Sequence, residues 1–300
     1  MNDSLARNET PARRRVVPLV WRLVLVMAGA LLIWAVVDTR LIAALFDFEA
    51  PVARRITSAV TVCILGVTLV LILRRYLDRR PTSTLGLQGG VRAVRDFAYG
   101  ALTWLAPAAL GLTVALLFGW VEIQINSSIA EVIGAVALLI ALVFVHEALP
   151  EELIFRGYIL RNLSAVVAVS TAILIQALLF CAFGLVLWVS TEGWGVFIER
   201  AAMFFFMGLV LGSLRVISGS LWACMGFHVA FQVVMQLVLG SSYADITVDS
   251  ELAFTLSTAV VAFIAATSVA GWLWRGEVNW MRPEPDITEP DTSSDGEPYP

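Results

Sequence analysis

Apolar residues run along this chain in stretches of roughly twenty, separated by short polar connections. That is the length an α-helix needs to cross about 30 Å of hydrocarbon at 1.5 Å per residue. The pattern predicts spans over residues 19–37, 56–73, 97–120, 129–160, 165–189, 196–216, 221–239 and 254–274. Ten-residue segments of alternating polarity, the mark of a membrane β-barrel, are absent. The fold class is therefore all-α, a polytopic transmembrane bundle of about eight spans. The fourth stretch is long for one crossing, so its inner end must project or tilt.

Composition agrees: of 300 residues, 59% are hydrophobic and 15% charged, outside the balance of a soluble domain. All twenty basic residues are arginine, and their placement fixes orientation by the positive-inside rule. With the N-terminus inside, sixteen arginines face the cytoplasm and only Arg40, Arg54, Arg55 and Arg200 face out. Acids dominate the outer connections, among them Glu122, Glu131, Asp245, Asp249 and Glu251. A multi-pass protein of the cell membrane with both termini cytoplasmic is expected. Residues 1–15 form a polar tail ending in Arg13, Arg14 and Arg15, which could open a signal peptide. No small-residue cleavage site follows, so the first apolar stretch reads as a retained helix. Residues 16–94 hold two spans and a basic inner loop, and 241–282 the last span with its flanks. From 283 to 300 the acidic, proline-rich sequence cannot bury enough apolar surface to order itself. The net charge of −4 says little about partners, and nothing points to nucleic acid.

Ionisable groups inside a span are costly, roughly 2.5–3.5 kcal/mol each, and usually serve a purpose in the bundle interior. The segment HEALPEELIFRGYILR, residues 146–161, concentrates them. On a helix Glu152 and Arg156 share a face and can pair, while Glu151 points about 100° away. One carboxylate is neutralised and the other left available. A second segment, ending GSLWACMGFHVAFQ, places His228 and Gln232 one turn apart, preceded by Gly208 and Gly212 at a spacing that permits close helix approach. Glu151 lies roughly 15 Å and His228 roughly 12 Å from the inner ends of their helices, so the two match in depth. Taken singly, each feature has a plain structural explanation: an ion pair at a helix end, or a histidine satisfied by packing. Cys63, Cys181 and Cys224 sit inside apolar stretches and read as small core residues. With two histidines and no paired cysteines, a protein-built metal site must use carboxylates or be incomplete.

EELIFRG resembles the EExxxR motif of the CAAX-protease and bacteriocin-processing (CPBP) family of intramembrane proteases. GSLWACMGFHVAFQ resembles its last motif, a histidine followed four residues later by Asn or Asp. The resemblance covers residues 95–240, the expected protease core. It implies that Glu151 is the general base that activates water, that Glu152 and Arg156 hold the site together, and that His228 polarises the scissile carbonyl and stabilises the oxyanion. A water-poor cavity strengthens both roles. Two positions depart from the pattern. The family's FxxxH motif falls on LLFCAFGLV, with Phe180 in place and Gly184 where a second histidine belongs, and Gln232 stands for the final Asn or Asp. His146 could replace the missing histidine only if the helix kinked, which Pro150 could cause. Glu147, one turn before Glu151, could act on it by like-charge repulsion or join a carboxylate metal site. A divalent metal such as zinc would draw on Glu151, His228 and Glu147, and the sequence leaves open whether any cofactor is used.

The leading expectation is an intramembrane endopeptidase cutting a membrane-associated peptide or protein that enters from the cytoplasmic side. The alternative is a catalytically impaired relative that binds membrane peptides as an immunity or scaffold protein. A transporter is the third reading, since buried acids also serve proton relays.

Overall fold

The computed structural model describes residues 17–42, 44, 51–240 and 242–284. Among them, eight helices are long and apolar enough to cross a membrane. They are α1 (Leu19–Ile42), α2 (Val52–Asp78), α3 (Val91–Leu117), α4 (Ile129–Ser164), α5 (Val169–Glu192), α6 (Trp194–Ser218), α7 (Leu221–Val238) and α8 (Glu251–Leu273). The chain is a multi-pass, all-α membrane protein. The polar N-terminal segment and the acidic tail from residue 285 lie outside the described residues. Large apolar side chains such as Ile64 (59% exposed), Leu110 (66%) and Ile264 (75%) face outward, as lipid contact requires.

Helix ends follow local chemistry. Between α6 and α7 the chain turns within Ser218, Gly219 and Ser220, where Gly219 takes φ 66°, a left-handed value open to a residue without Cβ. The third helix stops short of its apolar run, at Leu117, because the chain turns away through Gly119. Two connections that the apolar pattern leaves blank pair with each other. Strand β1 (Ile123–Ile125) runs antiparallel to β2 (Ile246–Val248), with Gln124 opposite Thr247. Acids of these connections act as backbone acceptors: Asp249 accepts from the Glu122 amide at 2.7 Å.

Close packing at small residues sets the interior. On α3 and α7 the backbones touch, since a Cβ added at Gly100 would overlap the Ala223 carbonyl and one at Gly226 the Phe97 carbonyl. Gly208 and Gly212 bring α6 against α5, at Ala177 and Gln176. At the end of the bundle that carries Arg22 and Arg74, a buried polar knot ties α1, α2 and α4 together. Asp78 accepts from Arg74 at 3.0 Å, the Tyr158 hydroxyl at 3.0 Å and the Asn162 amide at 3.0 Å, and Arg22 lies 3.4 Å away. Removing water from a carboxylate this completely is tolerable only with several donors converging on it.

Candidate active site

The site is built on α4, which is not uniformly α-helical. Its hydrogen bonds widen to i→i+5 spacing over Phe144–Ala148 and again over Leu153–Ile159, with one α-helical turn, Leu149–Glu152, between them. Pro150 sits in that turn, where its missing N–H costs the ladder one bond, and it packs against Gly66 of α2. Widened turns of this kind commonly mark functional segments. Here they set the angular phase of every polar side chain between His146 and Arg156, which an ideal helix of 3.6 residues per turn does not reproduce.

Glu152 is the hub. Its Oε1 lies 3.0 Å from Nη1 of Arg156 and 2.8 Å from Nδ1 of His228 on α7. All three are sealed, with Glu152 and Arg156 at 0% exposure and His228 at 1%. The Arg156 guanidinium also lies over the Phe180 ring of α5, 4.3 Å from its centroid. One carboxylate oxygen thus fixes both a cation and an imidazole. The second nitrogen of that imidazole, Nε2, is buried and has no protein partner, as does the second Glu152 oxygen. Glu151, on the adjacent direction of the same turn, is 8% exposed and makes no hydrogen bond among the described residues.

Of the residues singled out from sequence, the structure brings Glu152, Arg156 and His228 into direct contact and sets Glu151 beside them. The histidine meets Glu152 rather than Glu151. Gln232 is half-buried one turn further along α7 and joins none of these bonds among the described residues. Its neighbour on the same face, Gln236, donates to Glu147 at 2.9 Å. The i, i+4, i+8 spacing of His228, Gln232 and Gln236 was the available signal for that residue. At Gly184, a Cβ would lie 2.5–2.6 Å from three atoms of the Phe204 ring, so aromatic carbon fills the place where the sequence resemblance expects a second imidazole. Phe204 in turn meets Phe180 edge-on at 5.3 Å. His146 takes no part in the Glu152 cluster. It faces α1 and α2, where its Nε2 lies 3.3 Å from Asp38 and 3.3 Å from Ser58, and Ser58 also bonds Asp38. Both contacts fall on one ring nitrogen, so these three residues do not form a relay through the ring. Asp38 could have been found as an acid at the end of an apolar run; Ser58 carried no signal.

The candidate metal ligands do not converge. Glu147 is engaged by Gln236, His228 by Glu152, and no group of three or more His, Cys, Asp or Glu side chains forms a metal cradle among the described residues. The donor set does not fit a metal, and the chemistry below is derived without one.

No curated protein matches the chain. Residues 133–234 match the family model described as "Type II CAAX prenyl endopeptidase Rce1-like". The matched segment contains Glu151, Glu152, Arg156, Gly184, His228 and Gln232; it ends before Gln236 and excludes Asp38 and Ser58. Over that segment, the part of the eight-helix bundle that carries the buried cluster, the chain is similar to the Rce1-like family of type II CAAX prenyl endopeptidases.

Proposed function

We propose that this protein hydrolyses a peptide bond in a membrane-associated peptide or protein, with Glu151 as the base and His228 as the oxyanion partner. The observation that carries this reading is the division of labour between adjacent carboxylates. Glu152 is committed to Arg156 and His228, while Glu151 has no hydrogen-bond partner among the described residues. Glu151 takes a proton from water, and the resulting hydroxide attacks the carbonyl carbon. The oxyanion is met by His228, whose Nδ1–H is donated to Glu152 and whose Nε2, in the doubly protonated ring, donates to the developing charge. Protonated Glu151 then passes its proton to the departing nitrogen as the C–N bond breaks. Arg156, held between Glu152 and the Phe180 ring, orients the hub carboxylate. With the arginine-rich end inward, both termini lie in the cytoplasm.

The test is cleavage of a library of membrane-anchored peptides by the purified protein and by Glu151→Gln, each with and without chelator. Turnover that vanishes in the variant and survives chelation supports the mechanism. Turnover equal in both proteins defeats it.

A second reading has one specific observation in its favour. The Phe204 ring occupies the place where the sequence resemblance expects a second imidazole, which suits a protein that holds a peptide without cutting it. Peptide binding by both proteins with turnover by neither would select that reading.

A further inference from the structure

A cavity of about 370 Å³ lies between α1, α2, α4 and α7, lined by none of Glu151, Glu152, Arg156 and His228, and its walls include Asp38, Arg54, Arg55, His146, Glu147 and Tyr243. Its charges are segregated by what already satisfies them. Asp38 accepts from Ser58 and His146. Glu147 accepts from Gln236 through one oxygen, while the other is buried without a partner. The two arginines are held more loosely. Both are half-buried, and neither forms an ion pair or hydrogen bond among the described residues; Arg55 lies over the Tyr243 ring, 4.7 Å from its centroid. Asp38 attracts Arg54 across the cavity without a direct ion pair, so two adjacent half-buried guanidiniums keep their donors open among the described residues, an arrangement that suits a tetrahedral or bidentate anion. The nearby carboxylates disfavour a bare dianion and favour a ligand that also carries a cation for the Glu147 wall of the cavity.

Depth selects the source of that ligand. Arg54 and the Asp78 knot are separated by nearly the whole of α2, about 36 Å at 1.5 Å per residue, against a hydrocarbon thickness of about 30 Å. With Asp78 at one interface, the two arginines stand at headgroup level in the other. Beside them on α2, Val52 (55% exposed), Ile56 (47%) and Val60 (46%) form an apolar stripe facing outward. We propose that this cavity binds the headgroup of a zwitterionic phospholipid, with its phosphate on Arg54 and Arg55, its ammonium toward Glu147, and its acyl chains along the Val52, Ile56 and Val60 stripe. The proposal is independent of peptide hydrolysis.

The full chain in detergent provides the test. Native mass spectrometry counts retained lipid, and thermal unfolding is followed while short-chain phosphatidylethanolamine, short-chain phosphatidylglycerol or inorganic phosphate is titrated. The wild type should keep one phosphatidylethanolamine per chain and respond to it most strongly. Arg54→Gln combined with Arg55→Gln should bind it at least roughly tenfold more weakly, the loss expected for charge-assisted contacts. A second readout needs no variant: the lipid should slow amide exchange over the first turns of α2 in the wild type. Equal retention by wild type and variant, a response to inorganic phosphate or phosphatidylglycerol as strong as to phosphatidylethanolamine, or protection confined to other helices would overturn the assignment. Displacement of the lipid by an anionic peptide that binds the same arginines more tightly would also overturn it.

Discussion

Placing a histidine at Gly184, where the sequence resemblance expects one, is a direct test of what the aromatic filling does. A side chain there begins with a Cβ 2.5–2.6 Å from three Phe204 ring atoms, well inside van der Waals contact, so the ring must move. It has little room. Phe204 is 8% exposed and packs edge-on to Phe180, which lies under Arg156. Gly184→His alone should therefore destabilise by about 1–3 kcal/mol through overpacking. Phe204→Ala alone opens a void and should cost about 3–5 kcal/mol. Together the imidazole enters the space that the ring leaves, and the double variant should be more stable than the sum of the singles by about 1–3 kcal/mol. The measurement is reversible unfolding in mixed micelles for all four proteins. Peptide cleavage measured alongside should be higher in the double variant than in the wild type if the second imidazole assists Glu151. Additive costs, or a Gly184→His protein as stable as the parent, would refute the argument that Phe204 blocks that position.

Glu152→Gln leaves the buried Arg156 without its counter-charge and should lose about 3–5 kcal/mol, read as a lower unfolding midpoint together with lost turnover. Glu151→Gln, which breaks no hydrogen bond among the described residues, should abolish turnover while shifting stability by less than about 1 kcal/mol; a large loss of stability would show that Glu151 is structural. Asp78→Ala removes the acceptor shared by Arg22, Arg74, Tyr158 and Asn162, so α1 and α2 should become protease-sensitive and the protein less stable by about 3 kcal/mol or more. Gly100→Val drives a side chain into the Ala223 carbonyl, and the folded yield in membranes should fall sharply; normal yield would refute direct α3–α7 backbone contact.

The sequence is most legible where the bilayer does the selecting. Twenty-residue apolar runs located all eight helices because a span of hydrocarbon admits few alternatives, and errors are confined to ends such as 118–120, where Gly119 turns the chain. Glu152, Arg156 and His228 were legible as a cluster because helical spacing and matched depth constrain them in one dimension each. Which carboxylate receives the histidine was not legible, because it depends on the phase of α4, and the widened turns alter that phase with no recognisable residue pattern. The pairing of Glu147 with Gln236, the Asp38–Ser58–His146 cluster and the filling of Gly184 by Phe204 each join segments distant in sequence. Their cause is the lateral order of helices, which hydropathy does not encode. The β1–β2 pairing escaped for the same reason, each strand being three residues long.

The widened turns of α4 have a consequence for how variation in this protein should be read. Each holds more residues per turn than an α-helix does, so in effect α4 contains a small insertion on either side of Leu149–Glu152. Removing one residue other than Arg156 from either turn rotates everything beyond it by about 100° while leaving Glu152, Arg156 and His228 themselves in the chain. Scans by substitution test the chemistry of Glu151 and Glu152 and are blind to this dependence. The phase of the cluster is written in chain length, so single deletions in 144–148, or in 153–159 at positions other than Arg156, are as informative as replacing a carboxylate.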